Sequence, residues 1–154
     1  MKEEISFQKY RERGAYHWKN YFGGVFEVDC FLRGRYEVVI HLLKKASVTK
    51  ESRILEVGCG DGALSGLIYK RFSCSVTGVD PSPDGIRFSE EMFTKYNFKG
   101  YFQVSGGYQF KYPDANFDCI VLADVIEHLQ ELSEARIELL GLLKDQRAEP
   151  VELL

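Results

Sequence analysis

Long apolar runs are absent from this 154-residue chain. None approaches the ~20 residues that cross a bilayer, and Met1-Lys2-Glu3-Glu4-Ile5-Ser6 lacks the apolar core of a secretory leader, so a cytoplasmic location is the default expectation. An excess of positive charge is also missing. The formal net charge of −3 disfavours a nucleic-acid surface, although Lys9-Tyr10-Arg11 forms a local basic patch. Cys30, Cys59, Cys74 and Cys119 contain no C-x-x-C pair, and two of them fall on or beside interior strands; they read as reduced packing residues rather than disulfides or metal ligands. No internal repeat or low-complexity tract is present. What the chain has is 45% hydrophobic and 14% aromatic content, enough apolar mass for the core of one domain.

The remaining residues are organised around Arg53-Ile54-Leu55-Glu56-Val57-Gly58-Cys59-Gly60-Asp61-Gly62. Ile54, Leu55 and Val57 make a short buried strand, and alternate glycines then break it. From Ala63 to Phe72, apolar residues at Leu64, Leu67, Ile68 and Phe72 follow near-helical spacing. The unit is therefore strand, glycine loop, helix: the front of a nucleotide-binding α/β fold, where glycines allow close backbone approach and the helix N-terminus offers free N–H groups. Ser75-Val76-Thr77-Gly78-Val79-Asp80 reads as a second parallel strand with a carboxylate at its tip. Asp80 follows Glu56 at close to the ~20-residue spacing of a ribose-binding acid.

The glycine spacing departs from the dinucleotide fingerprint Gly-x-Gly-x-x-Gly. An acid two residues before the first glycine would repel a pyrophosphate and attract an ammonium group. Glu56-x-Gly58-x-Gly60-x-Gly62 instead resembles motif I of the class I S-adenosylmethionine-dependent methyltransferases. The resemblance implies that the backbone of Gly58, Cys59, Gly60 and Gly62 passes close to the methionine part and ribose of S-adenosyl-L-methionine. It further implies that Glu56 organises the ammonium side, Asp80 holds the ribose and Pro81 lies against the adenine.

The flanking segments add detail. Residues 1–30 hold the densest aromatic cluster, including Tyr10, Tyr16, Trp18, Tyr21 and Phe22, broken by Gly14, Gly23 and Gly24. They read as short helices and turns forming a lid over the site, and His17 is a candidate base. The span from Phe31 to Ala46 has Tyr36, Val39, Ile40 and Leu43 on one helical face. Ser82-Pro83-Asp84 is a helix start with a cap, a first-position proline and an acid, and the helix runs to about Tyr96. Gly100 to Val104 forms the third strand. In the resembling family the next loop often carries an acid for the adenine amino group; this chain has Ser105-Gly106-Gly107-Tyr108, so Ser105 and Gly106 take that place.

Cys119-Ile120-Val121-Leu122-Ala123 suits a central parallel strand. It leads into Asp124-Val125-Ile126-Glu127-His128-Leu129, and Val-Ile-Glu-His-Leu resembles the branch that includes the ubiquinone-pathway O-methyltransferases. Ala123 and Asp124 are thereby implied to lie beside the cofactor's methionine end, with His128 on the acceptor side as a second candidate base. A partial likeness to a metal-binding segment of small-RNA methyltransferases lacks its downstream histidines, and no metal is expected. A last helix runs from about Leu132 to Lys144, where the Pro-Gly-Gly-type turn of the family does not follow.

These readings give an α/β, Rossmann-like, doubly wound and mostly parallel sheet of order 3-2-1-4, with strands five to seven missing. Residues 1–30 form the lid, 31–144 the cofactor-binding half and 145–154 a divergent tail. Such a chain would be a truncated product or one part of an assembly, with strand four as an exposed edge open to self-association or a partner. The implied function is methyl transfer from S-adenosyl-L-methionine to a small-molecule acceptor. A non-catalytic cofactor-binding or interaction domain is the second reading; a dinucleotide-dependent oxidoreductase is the third, disfavoured by the glycine spacing.

Overall fold

A computed structural model describes residues 8–23, 29–106, 111–125, 132–144 and 151–153. Short helices α1 (Gln8–Arg13) and α2 (Tyr16–Phe22) come first, then α3 (Cys30–Lys45). The Asp29 carboxylate starts α3 by accepting the N–H groups of Phe31 at 2.9 Å and Leu32 at 3.2 Å. The nucleotide-binding pattern follows as β1 (Arg53–Val57), α4 (Ala63–Phe72), β2 (Ser75–Asp80), α5 (Pro83–Lys95), β3 (Tyr101–Val104) and β4 (Cys119–Ala123). Ser82 caps α5 through Gly85 N–H at 3.1 Å, with Pro83 in its first turn, as the sequence predicts. The chain continues with α6 (Leu132–Leu142) and β5 (Val151–Leu153).

All strand pairings are parallel, in the order β3-β2-β1-β4-β5. The expected 3-2-1-4 arrangement is there. The expectation that strand five is missing needs correction, because Val151, Glu152 and Leu153 pair in register with Val121, Leu122 and Ala123. Residues 151–153 of the supposed tail are thus a strand, and β4 is an interior strand over that stretch. Three residues with a glutamate between apolar neighbours are too short to register as a strand pattern, yet the backbone of β4 offers them a full ladder.

The sheet is covered on both faces. Ile54 of β1 joins Val39, Ile40 and Leu43 of α3 and Leu64, Leu67 and Ile68 of α4 in one core. Leu55 and Val57 join Leu139, Leu142 and Leu143 in the other, on the α6 side. At the end of the sheet opposite the glycine turn, Asp118 accepts Arg53 N–H at 2.7 Å and the Lys144 ammonium at 2.7 Å, tying β1, β4 and the end of α6 together.

Candidate functional site

The side-chain alternation of β1 places Glu56 on the face of Ile54, toward α3 and α4, and only 3% of it is exposed. There it accepts a short hydrogen bond from the Ser65 hydroxyl, itself fully buried on the first turn of α4. Gly62, the residue before that helix, has no side chain to cap it. Burial raises the Glu56 carboxyl to about 8; Ser65 opposes the rise, while Asp61 and Asp80 add to it. Tyr36 of α3 stands beside this group. Its hydroxyl is pushed well up by burial, and Glu56 and Asp61 contribute repulsion.

From the tip of β1 the chain turns over β2. Gly58 and Cys59 both donate their N–H groups to the Val79 carbonyl, at 2.7 and 3.0 Å. Gly58 has φ +74°, and a Cβ there would lie 2.3 Å from the Val125 Cγ2 atom. Gly60, at φ +55°, is equally restricted: a Cβ would come within 2.0 Å of the Tyr10 hydroxyl. Its N–H donates to Asp80 Oδ2 at 2.8 Å, and Ser82 N–H donates to Oδ1 at 2.8 Å. Burial nonetheless raises the Asp80 carboxyl above its ordinary value, against those two donors. Ser105, at the end of β3, donates its N–H to the Asp80 carbonyl at 3.0 Å, which brings the third strand's tip to the same place.

The aromatic segment is fastened to this turn by Asp61, which is fully buried. Its carboxylate accepts His17 N–H at 2.9 Å at the start of α2 and contacts His17 Nδ1 at 3.2 Å, while its main-chain carbonyl accepts Trp18 Nε1–H at 2.6 Å. The Trp18 ring fills the space beside Gly66 of α4, and Tyr10 of α1 lies over Gly60. Burial raises the Tyr10 hydroxyl far above its ordinary value, with Asp80 and Asp61 adding to the effect. The result is a wall of tyrosines around three buried carboxylates, Glu56, Asp61 and Asp80. Such a cradle favours a cation or hydroxyl donors and disfavours a phosphate.

Residues 54–146 match the sequence family described as "Methyltransferase domain". The chain belongs to that family. This methyltransferase domain is 28% identical to phosphoethanolamine N-methyltransferase 1 of Arabidopsis thaliana, over 80% of its own length and 24% of that protein's. It is 29% identical to 2-methyl-6-phytyl-1,4-hydroquinone methyltransferase of Synechocystis, over 59% and 28% of the two lengths. The chain thus spans about a quarter of those curated relatives. Among solved structures it resembles the PH0226 protein of Pyrococcus horikoshii OT3, with TM-score 0.70, 27% identity, and coverage of 88% of this chain and 60% of that one. The family match and the parallel strand order agree in making this a domain of the methyltransferase family.

In this methyltransferase domain most of the anticipated residues come together. Glu56, Gly58, Cys59, Gly60, Gly62 and Asp80 surround the turn, with Ser105 at its side. Pro81 and Gly106 are exposed at the rim, beyond the tips of β2 and β3. Ala123 ends β4, and Asp124 adopts φ +56° and pairs with Arg35 of α3. His17 faces Asp61, and His128 lies outside the described residues. Sequence reasoning did not assign Asp61, Ser65, Tyr10 or Tyr36 to the site. Asp61 alone carried a visible signal, an acid set between two glycines just before a helix.

Proposed function

We propose that this chain binds S-adenosyl-L-methionine at the glycine turn and transfers its methyl group to a small-molecule acceptor. The observation that carries the reading is the juxtaposition of buried Glu56 and Asp80 at neighbouring strand tips, bridged by glycines with no space for a Cβ. This donor set fits the cofactor: a carboxylate for an ammonium, a second for ribose hydroxyls, and a glycine turn between them that Tyr10 and Val125 line. When bound, the cofactor supplies a methyl group on a sulfonium already activated for displacement. Glu56 then holds the ammonium, Asp80 accepts from the ribose hydroxyls, and Pro81, Ser105 and Gly106 flank the adenine. The α1–α2 segment, anchored through Asp61, excludes water and limits the approach of the acceptor. Ala123 and Asp124 border the methionine end. His17 and His128 are the candidate bases for a hydroxyl acceptor, and an acceptor that is already nucleophilic needs neither. The cysteine spacing and the free thiols of Cys30, Cys59, Cys74 and Cys119 support a cytoplasmic setting.

Calorimetric titration with S-adenosylhomocysteine tests the reading, with NAD as the competing ligand. Asp80→Asn should weaken S-adenosylhomocysteine by about tenfold or more, the loss of a charge-assisted hydrogen bond. Binding of NAD in place of S-adenosylhomocysteine would overturn the proposal. Full binding without methyl transfer to any acceptor tried would favour a binding module.

A further inference from the structure

Glu56 is met by one side chain of α4: Ser65, in the first turn of that helix, donates its hydroxyl to the carboxylate. Both side chains are sealed from solvent, with exposures of 3% and 0%. Asp61 and Cys59 from the turn, Asp80 from β2 and Tyr36 from α3 face Glu56, and cations act one group further out, Lys9 on Asp80 and Arg35 on Tyr36. Asp124, beyond β4, acts on the same Tyr36 and is itself paired with Arg35. Ser65 is therefore the donor that favours the ionised carboxylate in a neighbourhood that otherwise opposes it. It sits in the first turn of α4, three residues beyond Gly62.

We propose that Ser65 is a positioning residue that aims Glu56 at the ammonium of the bound cofactor and sets the pH above which that ammonium is held. The inference rests on the cofactor reading above and adds a proton to it. An ammonium placed against Glu56 stabilises the charged carboxylate, so binding displaces the proton to solvent. Affinity then rises with pH until the carboxylate is ionised without the ligand, and levels off above that point. Removing the Ser65 hydroxyl takes away an interaction made with the charged form, so the plateau moves to higher pH.

Two measurements on the full chain test this. In the ligand-free protein, carbon-detected NMR of glutamate carboxyls should show Glu56 titrating at higher pH in Ser65→Ala than in the parent, and Ser65→Thr should restore the parental value. In calorimetry with S-adenosylhomocysteine, run in two buffers of different ionisation heat, the parent should release protons at about pH 7 and bind roughly tenfold more tightly at about pH 8.5 than at about pH 6. Ser65→Ala should bind about tenfold more weakly near neutral pH and recover at higher pH. Glu56→Gln should release no protons and show no such pH dependence. An unchanged Glu56 titration in Ser65→Ala overturns the positioning role. Tight binding with no proton release overturns the coupling, while absence of S-adenosylhomocysteine binding overturns the cofactor reading and leaves the ligand-free titration to decide the role of Ser65.

Discussion

At neutral pH the folded chain holds a proton on Glu56 that the unfolded chain releases, because burial raises this carboxyl from 4.5 to about 8. The sign of the consequence is fixed: the folded form binds more protons between those values, so this group's contribution to stability is greatest below its ordinary range and falls as pH rises toward about 8. Glu56→Gln keeps an acceptor for Ser65 and cannot ionise. Its melting temperature, measured without ligand, should exceed the parent's at about pH 8 and match it below about pH 4. A parent whose stability did not decline over that interval would show that the carboxyl is not buried as described. Glu56 and Asp80 were legible in the sequence because an acid ending an apolar strand is a pattern within a few residues. Ser65 was not, since nothing local indicates that the third residue of α4 lies beside the fourth of β1; only the packing of helix on strand reveals it.

Among the elements, α2 depends on a residue outside itself. It has seven residues and no side-chain cap of its own, too few to persist as an isolated helix, and Asp61 supplies the missing acceptor. Asp61→Ala should remove that anchor, costing ~0.5–2 kcal/mol as lost caps do, with the loss concentrated in α1 and α2. Trp18 is the chain's single tryptophan and is 2% exposed, so its fluorescence should shift to longer wavelength as the segment loosens. Faster amide exchange confined to α1 and α2 would accompany the shift; unchanged emission and exchange would mean that aromatic packing alone holds α2. The spans of α3, α4 and α5 were readable from apolar spacing, and Ser82 and Pro83 marked the start of α5. The aromatic segment could be read only as short pieces near the site, because its position depends on tertiary contacts with Asp61, Gly60 and Gly66.

For the molecule as a whole, the parallel sheet was legible because helical crossovers join its strands, and the order 3-2-1-4 followed from the resemblance that the glycine motif carries. The fifth strand was not, for it consists of three residues whose pairing is a property of the β4 edge more than of their own pattern. Removing residues 151–154 would leave Val121, Leu122 and Ala123 without a neighbour on that side. The shortened chain should self-associate at concentrations where the parent stays monodisperse by light scattering. Equal behaviour of the two would assign β5 no protective part.

The pleat of β1 also restricts how this protein can change. Leu55 and Val57 serve the α6 core, and Glu56 between them is turned the other way. Adding or deleting one residue within this strand would swap the two sets, burying a carboxylate among leucines and presenting an isobutyl group where Glu56 now meets Ser65. Loop lengths can drift in such a lineage, but the parity of a single strand cannot.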